Sequence, residues 1–123
     1  MGNKILIVDD DPEISSLVQY TLESMGHQVQ VCDNGREVMD ALGAYKPDLL
    51  LLDVMLPGID GYSLAHQITE GADTKELPII VLSALEPSRP MFQKFTQVKA
   101  YLTKPFNTDD LMESVKNALT ERP

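Results

Sequence analysis

Four short segments place acids, a hydroxyl and a lysine where strands would end: Val8-Asp9-Asp10-Asp11, Leu52-Asp53, Leu82-Ser83-Ala84 and Thr103-Lys104-Pro105. If those strands run parallel and side by side, the four ends share one rim. Carboxylates gathered there repel one another strongly unless a cation sits among them. A lysine and a hydroxyl nearby suit an anion docked beside that cation. The set reads as a place where phosphate meets a divalent metal. Taken singly, each segment has a plainer reading. An acidic cluster ahead of a helix also serves as a cap favoured by the helix dipole, an aspartate after a strand is commonly a loop residue, and Ser83 is an ordinary turn hydroxyl. Their joint occurrence carries the argument.

Elements that could position these residues follow from the apolar pattern. Lys4 to Val8 is a short β-branched run that stops at the acids, and Asp11-Pro12 then supplies an N-cap and an N1 proline. Ile14, Leu17, Val18, Leu22 and Met25 recur at helical spacing up to Gly26, which closes that helix. Val29 to Cys32 is a second strand, Asn34-Gly35 a turn, and Val38, Met39, Ala41 and Leu42 mark a second helix. Asp48 to Asp53 is a continuous apolar run expected of a central parallel strand covered on both faces. A Pro57, Gly58 and Gly61 loop leads to a helix bearing Tyr62, Leu64, Ala65 and Ile68. Pro78 to Ser83 and Ala100 to Thr103 are the last strands, and Thr108 is the expected cap of a final helix carrying Leu111, Met112, Val115 and Leu119. Five βα units joined by right-handed crossovers give a doubly wound α/β sandwich. In such a fold ligands bind beyond the carboxyl ends of the strands, where all four polar segments lie.

Composition narrows the function classes. At 123 residues and 43% apolar content, one domain spanning 1–123 is expected. The net charge of −9, with no Lys/Arg-rich run, argues against direct binding to nucleic acid or to an anionic membrane. No apolar stretch approaches the length of a bilayer span. The lone Cys32 has no internal disulfide partner, in agreement with a reducing cytoplasm, the expected location.

The chain resembles the receiver domain of bacterial two-component response regulators over nearly all of its length. The resemblance is carried by Ile5-Leu6-Ile7-Val8-Asp9-Asp10-Asp11, by Leu51-Leu52-Asp53-Val54-Met55-Leu56-Pro57-Gly58-Ile59-Asp60-Gly61, by Val81-Leu82-Ser83-Ala84, and by Tyr101-Leu102-Thr103-Lys104-Pro105-Phe106. It implies a flavodoxin-like, five-stranded parallel sheet of order 2-1-3-4-5 flanked by five helices. Asp53 then matches the phosphoacceptor, which takes a phosphoryl group from the histidine of a sensor histidine kinase or a histidine phosphotransfer domain. Asp10, Asp53 and the backbone carbonyl of Met55 match the Mg²⁺ ligands, with Asp9 acting partly through water. Lys104 and Ser83 match the groups that pair with phosphoryl oxygens, and Lys104-Pro105 matches the family's cis peptide. Tyr101 matches the switch aromatic, which rotates into space vacated by the Ser83 hydroxyl. The face altered is that of the fourth helix, fifth strand and fifth helix, also the candidate surface for a homodimer. Such a domain is no enzyme beyond its own phosphorylation and slow dephosphorylation.

Some residues depart from the family pattern. Leu85 to Lys99 contains Pro87 and Pro90, which predicts a short fourth helix, and lacks the glycine usual just before the fifth strand. Met55 and Leu85, each two residues beyond a site residue, are apolar and cannot orient a hydrolytic water, so slow self-dephosphorylation is expected. Two rival classes fit less well. A haloacid-dehalogenase-like phosphatase needs a second aspartate where Met55 stands, and a flavin carrier needs a hydroxyl- and glycine-rich loop where Asp9-Asp10-Asp11 would repel the cofactor phosphate. A degenerate receiver serving only as a docking module is disfavoured by the complete set of site residues. His27, His66 and Cys32 are read as structural.

Overall fold

The computed structural model describes residues 2–53, 61–83 and 95–120. In chain order the elements are β1 (Lys4–Val8), α1 (Pro12–Ser24), β2 (Gln28–Cys32), a 3₁₀ turn (Gly35–Glu37), α2 (Val38–Tyr45), β3 (Leu49–Asp53), α3 (Gly61–Glu70), β4 (Ile79–Ser83), β5 (Val98–Thr103) and α4 (Thr108–Thr120). The five strands are parallel in the order β2-β1-β3-β4-β5, as expected. Four helices are described rather than five. The helix expected between β4 and β5 falls on 84–94, outside the described residues.

Strand periodicity divides the core into two layers. Leu6, Val8, Leu50, Leu52, Ile79 and Val81 point to the face covered by α2 and α3, where Val38, Leu42, Leu64 and Ile68 meet them. Ile5, Ile7, Leu49, Leu51, Ile80 and Leu82 point the other way, against Val18 and Leu22 of α1 and Leu111 and Val115 of α4. This explains the unbroken run in β3: every residue from Leu49 to Asp53 is buried, because both faces are covered. Burying each such side chain contributes roughly 1.5–3 kcal/mol.

Local chemistry sets the ends of the elements. Asp11 caps α1 by accepting the Glu13 N–H at 2.9 Å, with Pro12 in the first turn. The helix ends at Met25, and Gly26 follows at φ +94°, a left-handed position that suits glycine. Asn34 accepts the Glu37 N–H at 3.1 Å and so starts the 3₁₀ turn ahead of α2. The expected cap of the last helix is corrected by one residue: Asn107, not Thr108, accepts the Asp110 N–H at 2.7 Å. Both types cap well, and the asparagine stands where its carboxamide oxygen meets the free amide. The fifth strand starts two residues before the expected Ala100. Ile79 pairs with Val98 and Ile80 with Ala100, so Lys99 is an extra, bulged residue that interrupts the alternation.

Candidate functional site

The carboxyl ends of β1, β3 and β5 converge. Asp9 leaves β1 with its N–H donating to the Cys32 carbonyl at 3.1 Å, which fixes the chain beside β2. Its carboxylate is 1% exposed, and Oδ1 accepts the Asp11 N–H at 2.9 Å. Asp53 ends β3 and is 4% exposed, while Asp10 faces solvent. One ligand oxygen from each of Asp9, Asp10 and Asp53 lies within 4.8 Å of the others, and this trio is the group among the described residues that could hold a metal ion.

Lys104, just past the end of β5, reaches into the trio. Its Nζ donates to Asp9 Oδ2 at 2.9 Å and to Asp53 Oδ2 at 3.2 Å. Burial pulls the ammonium's pKa down, but the hydrogen bond to Asp9 and the charges of Asp53 and Asp9 outweigh it and hold the group above its ordinary value. The Lys104-Pro105 peptide is cis. Ser83 ends β4 directly opposite Thr103 of β5, which brings the fourth polar segment to the same rim. Tyr101 is half-buried and packs against the layer covered by α2 and α3. Met55 lies outside the described residues.

Three carboxylates and one ammonium leave the rim with an excess of negative charge. The donor set fits Mg²⁺, a hard cation that takes carboxylate oxygens, and the exposure of Asp10 leaves the site open to water on one side. Both Asp9 oxygens already accept hydrogen bonds, whereas Asp10 faces outward. The double bridge from Lys104 had no local signal in the sequence, which pointed only to an anion partner. Another unforeseen feature is Gln97, a buried polar side chain whose Nε2 donates to the Thr74 and Leu77 carbonyls.

Other noticeable groups have structural partners. His27 Nδ1 accepts the Asn3 N–H at 3.1 Å, and burial lowers its pKa. His66 stands 3.5 Å from Glu70 on the surface of α3. Cys32 is buried with its thiol pKa pushed up by desolvation, as for a core residue. A cavity of about 630 Å³ lies between the C-terminal ends of α2 and α3, lined by Met39, Lys46, Asp48 and Leu77 among others, and includes none of the rim residues. No described helix is long and apolar enough to cross a membrane.

A parallel 2-1-3-4-5 sheet with an acidic trio and a lysine at one rim defines a class of α/β domains, and comparison with known proteins identifies it. The family model of the response regulator receiver domain matches residues 5–116, and the chain belongs to this family. It is 36% identical over 117 residues to the DNA-binding dual master transcriptional regulator RpaA of Synechocystis sp., covering 94% of this chain and 48% of that protein. The chain thus spans about half the length of that relative and of several other regulators it matches. Among solved structures, a putative response regulator from Chloroflexus aurantiacus superposes with a TM-score of 0.92 at 32% identity, covering 98% of this chain and all of that one. The receiver domain of sensor histidine kinase PA1611 from Pseudomonas aeruginosa superposes with a TM-score of 0.87 at 28% identity, covering 98% and 100%, and has a magnesium ion coordinated in its active-site cleft. Receiver domains are signalling switches that work with histidine kinases or phosphotransfer proteins rather than classical enzymes.

Proposed function

We propose that residues 1–123 form one receiver domain that acts as a phosphorylation-activated switch in a two-component phosphorelay, with Asp53 as the acceptor. A carboxylate oxygen of Asp53 attacks the phosphorus of a phosphohistidine on a sensor kinase or phosphotransfer domain. The P–N bond breaks, the imidazole keeps the electron pair, and Asp53 becomes an acyl phosphate. Attack of one anion on another demands positioning and charge neutralisation more than covalent help. The observation that carries the reading is the Lys104 ammonium held 2.9 Å from Asp9 and 3.2 Å from Asp53. It is already aimed at the acceptor, and on transfer it pairs with a phosphoryl oxygen while Ser83 binds another.

A bound Mg²⁺ would supply positive charge to offset the negative charge of the incoming phosphoryl group. Asp10, Asp53 and the Met55 carbonyl would hold it, with Asp9 acting partly through water. The engaged oxygens of Asp9 support that division, and the magnesium-bearing cleft of the PA1611 receiver supports the choice of ion. Tyr101 is the switch aromatic, and the family's face of fourth helix, fifth strand and fifth helix, to which β5 and α4 contribute here, is the output and candidate homodimer surface. This domain makes no direct contact with nucleic acid or membrane and works in the cytoplasm. Incubation with acetyl phosphate and Mg²⁺ followed by intact mass tests the chemistry. A magnesium-dependent gain of one phosphoryl group is expected, lost in Asp53→Ala, while Lys104→Ala is phosphorylated but fails to signal. Gain of the group by Asp53→Ala overturns the assignment.

A further inference from the structure

The three residues that precede β5 are fastened to α3 and its following loop at two points. Phe95 is buried, with its ring 5.5 Å from Tyr62 and 6.4 Å, edge-on, from His66, both on α3. Gln97 is 7% exposed, and its carboxamide donates to Thr74 O at 2.8 Å and Leu77 O at 2.7 Å. Its own carbonyl accepts the Ile79 N–H at 2.8 Å, so side chain and backbone both hold the loop between α3 and β4. That loop is tied to α3 in turn, because the Thr74 hydroxyl donates to Ile68 O at 2.7 Å. A Cβ at Gly71 would meet that hydroxyl, so a larger residue there would force the Thr74 side chain to shift. Phe95, Tyr62 and Tyr101 also belong to one packed layer.

We propose that Phe95 and Gln97 form a clamp that couples β5 to α3, so that the surface altered by phosphorylation includes the exposed side of α3 around His66 and Glu70. The proposal rests on the reading of Tyr101 as the switch. Pinned at its start, with Lys99 bulged outward, β5 cannot slide as a rod when Tyr101 rotates. The displacement passes instead through the Phe95 and Tyr62 rings and the Gln97 carboxamide. Gln97 acts here as a positioning residue, and a partner reading the phosphorylated form would find a changed His66–Glu70 pair as well as a changed β5 face.

Amide and aromatic NMR on the full chain, with beryllofluoride and Mg²⁺ as the phosphoryl mimic, tests the coupling in wild type, Gln97→Met and Phe95→Leu. In wild type the mimic is expected to shift the Tyr101 ring and the amides of His66, Thr69 and Thr74. In either variant the α3 shifts should fall at least about twofold while the Tyr101 ring still responds and acetyl phosphate still adds its group. Silent α3 amides beside a responding Tyr101, or α3 shifts equal in all three proteins, overturn the clamp. Loss of the Tyr101 and mass responses in wild type sinks the switch reading, and the proposal falls with it. Hydrogen exchange without the mimic isolates the clamp itself: in Gln97→Met the Thr74, Leu77 and Ile79 amides should exchange about tenfold faster while Leu51 is unchanged. Unchanged exchange at those three overturns it, whichever way phosphorylation behaves.

Discussion

Replacing Lys104 by methionine keeps most of the side-chain length and removes the cation that bridges Asp9 and Asp53. Two carboxylates whose ligand oxygens lie within 4.8 Å then face each other with little exposure. At that separation and an effective dielectric of about 20, their repulsion is about 3.5 kcal/mol. Water reaching the rim past Asp10 screens part of it, leaving a loss of about 2–3 kcal/mol. For a chain of this size that lowers the melting temperature by about 10 °C. Mg²⁺ binds only the folded rim and supplies the missing charge, so it should recover more stability in the variant than in wild type, where it competes with the ammonium. Thermal melts followed by circular dichroism near pH 7.5, in EDTA and then in Mg²⁺ on the order of 10 mM, measure both quantities. A variant that melts within about 2 °C of wild type in EDTA, or an equal magnesium increment in both proteins, would refute the view that Lys104 neutralises the rim.

His27 is neutral in the folded chain more readily than in the unfolded one, because burial lowers its pKa from 6.5. The unfolded state therefore takes up the proton first, and stability falls as pH drops from about 7.5 to about 5.5. The fall should be smaller in His27→Gln, as read by melts at both ends. Lys46 caps the C-terminal end of α2 at φ 52°, a left-handed position costly for any residue that carries a Cβ, so Lys46→Gly should raise stability by about 0.5–1 kcal/mol in urea titration. Asn107→Ala removes the cap of α4 and should cost about 1 kcal/mol in the same assay, with Thr108→Ala costing less. Phosphate release from the labelled protein should be slow relative to chemotaxis receivers, because Met55 and Leu85 offer no group to orient water; a half-life of seconds would defeat that expectation.

Much of the sheet was legible because each strand carries its own signal. The Leu49 to Leu52 run requires cover on two faces, and the acids at Asp9 and Asp53 stop the strands where the rim begins. Cap positions were readable to within one residue, since Asn107 and Thr108 are chemically equivalent candidates and only the path of the chain separates them. The start of β5 was hidden because a bulge breaks the period that reveals a strand, and Val98 and Tyr101 share a layer three residues apart. The Gln97 carboxamide and the double Lys104 bridge were illegible for a different reason. Their partners lie 20 to 95 residues away along the chain, so nothing in the neighbouring sequence marks them.

The counter-charge for Asp9 arrives 95 residues after it. During translation both buried acids leave the ribosome long before the lysine that quiets them, so the pocket is completed only once β5 has emerged. A product released ahead of residue 104 would own most of the sheet yet carry an uncompensated hole of negative charge, exposed to whatever cation the cell supplies. Until Lys104 is in place, the rim lacks the cation that makes Asp9 and Asp53 compatible neighbours.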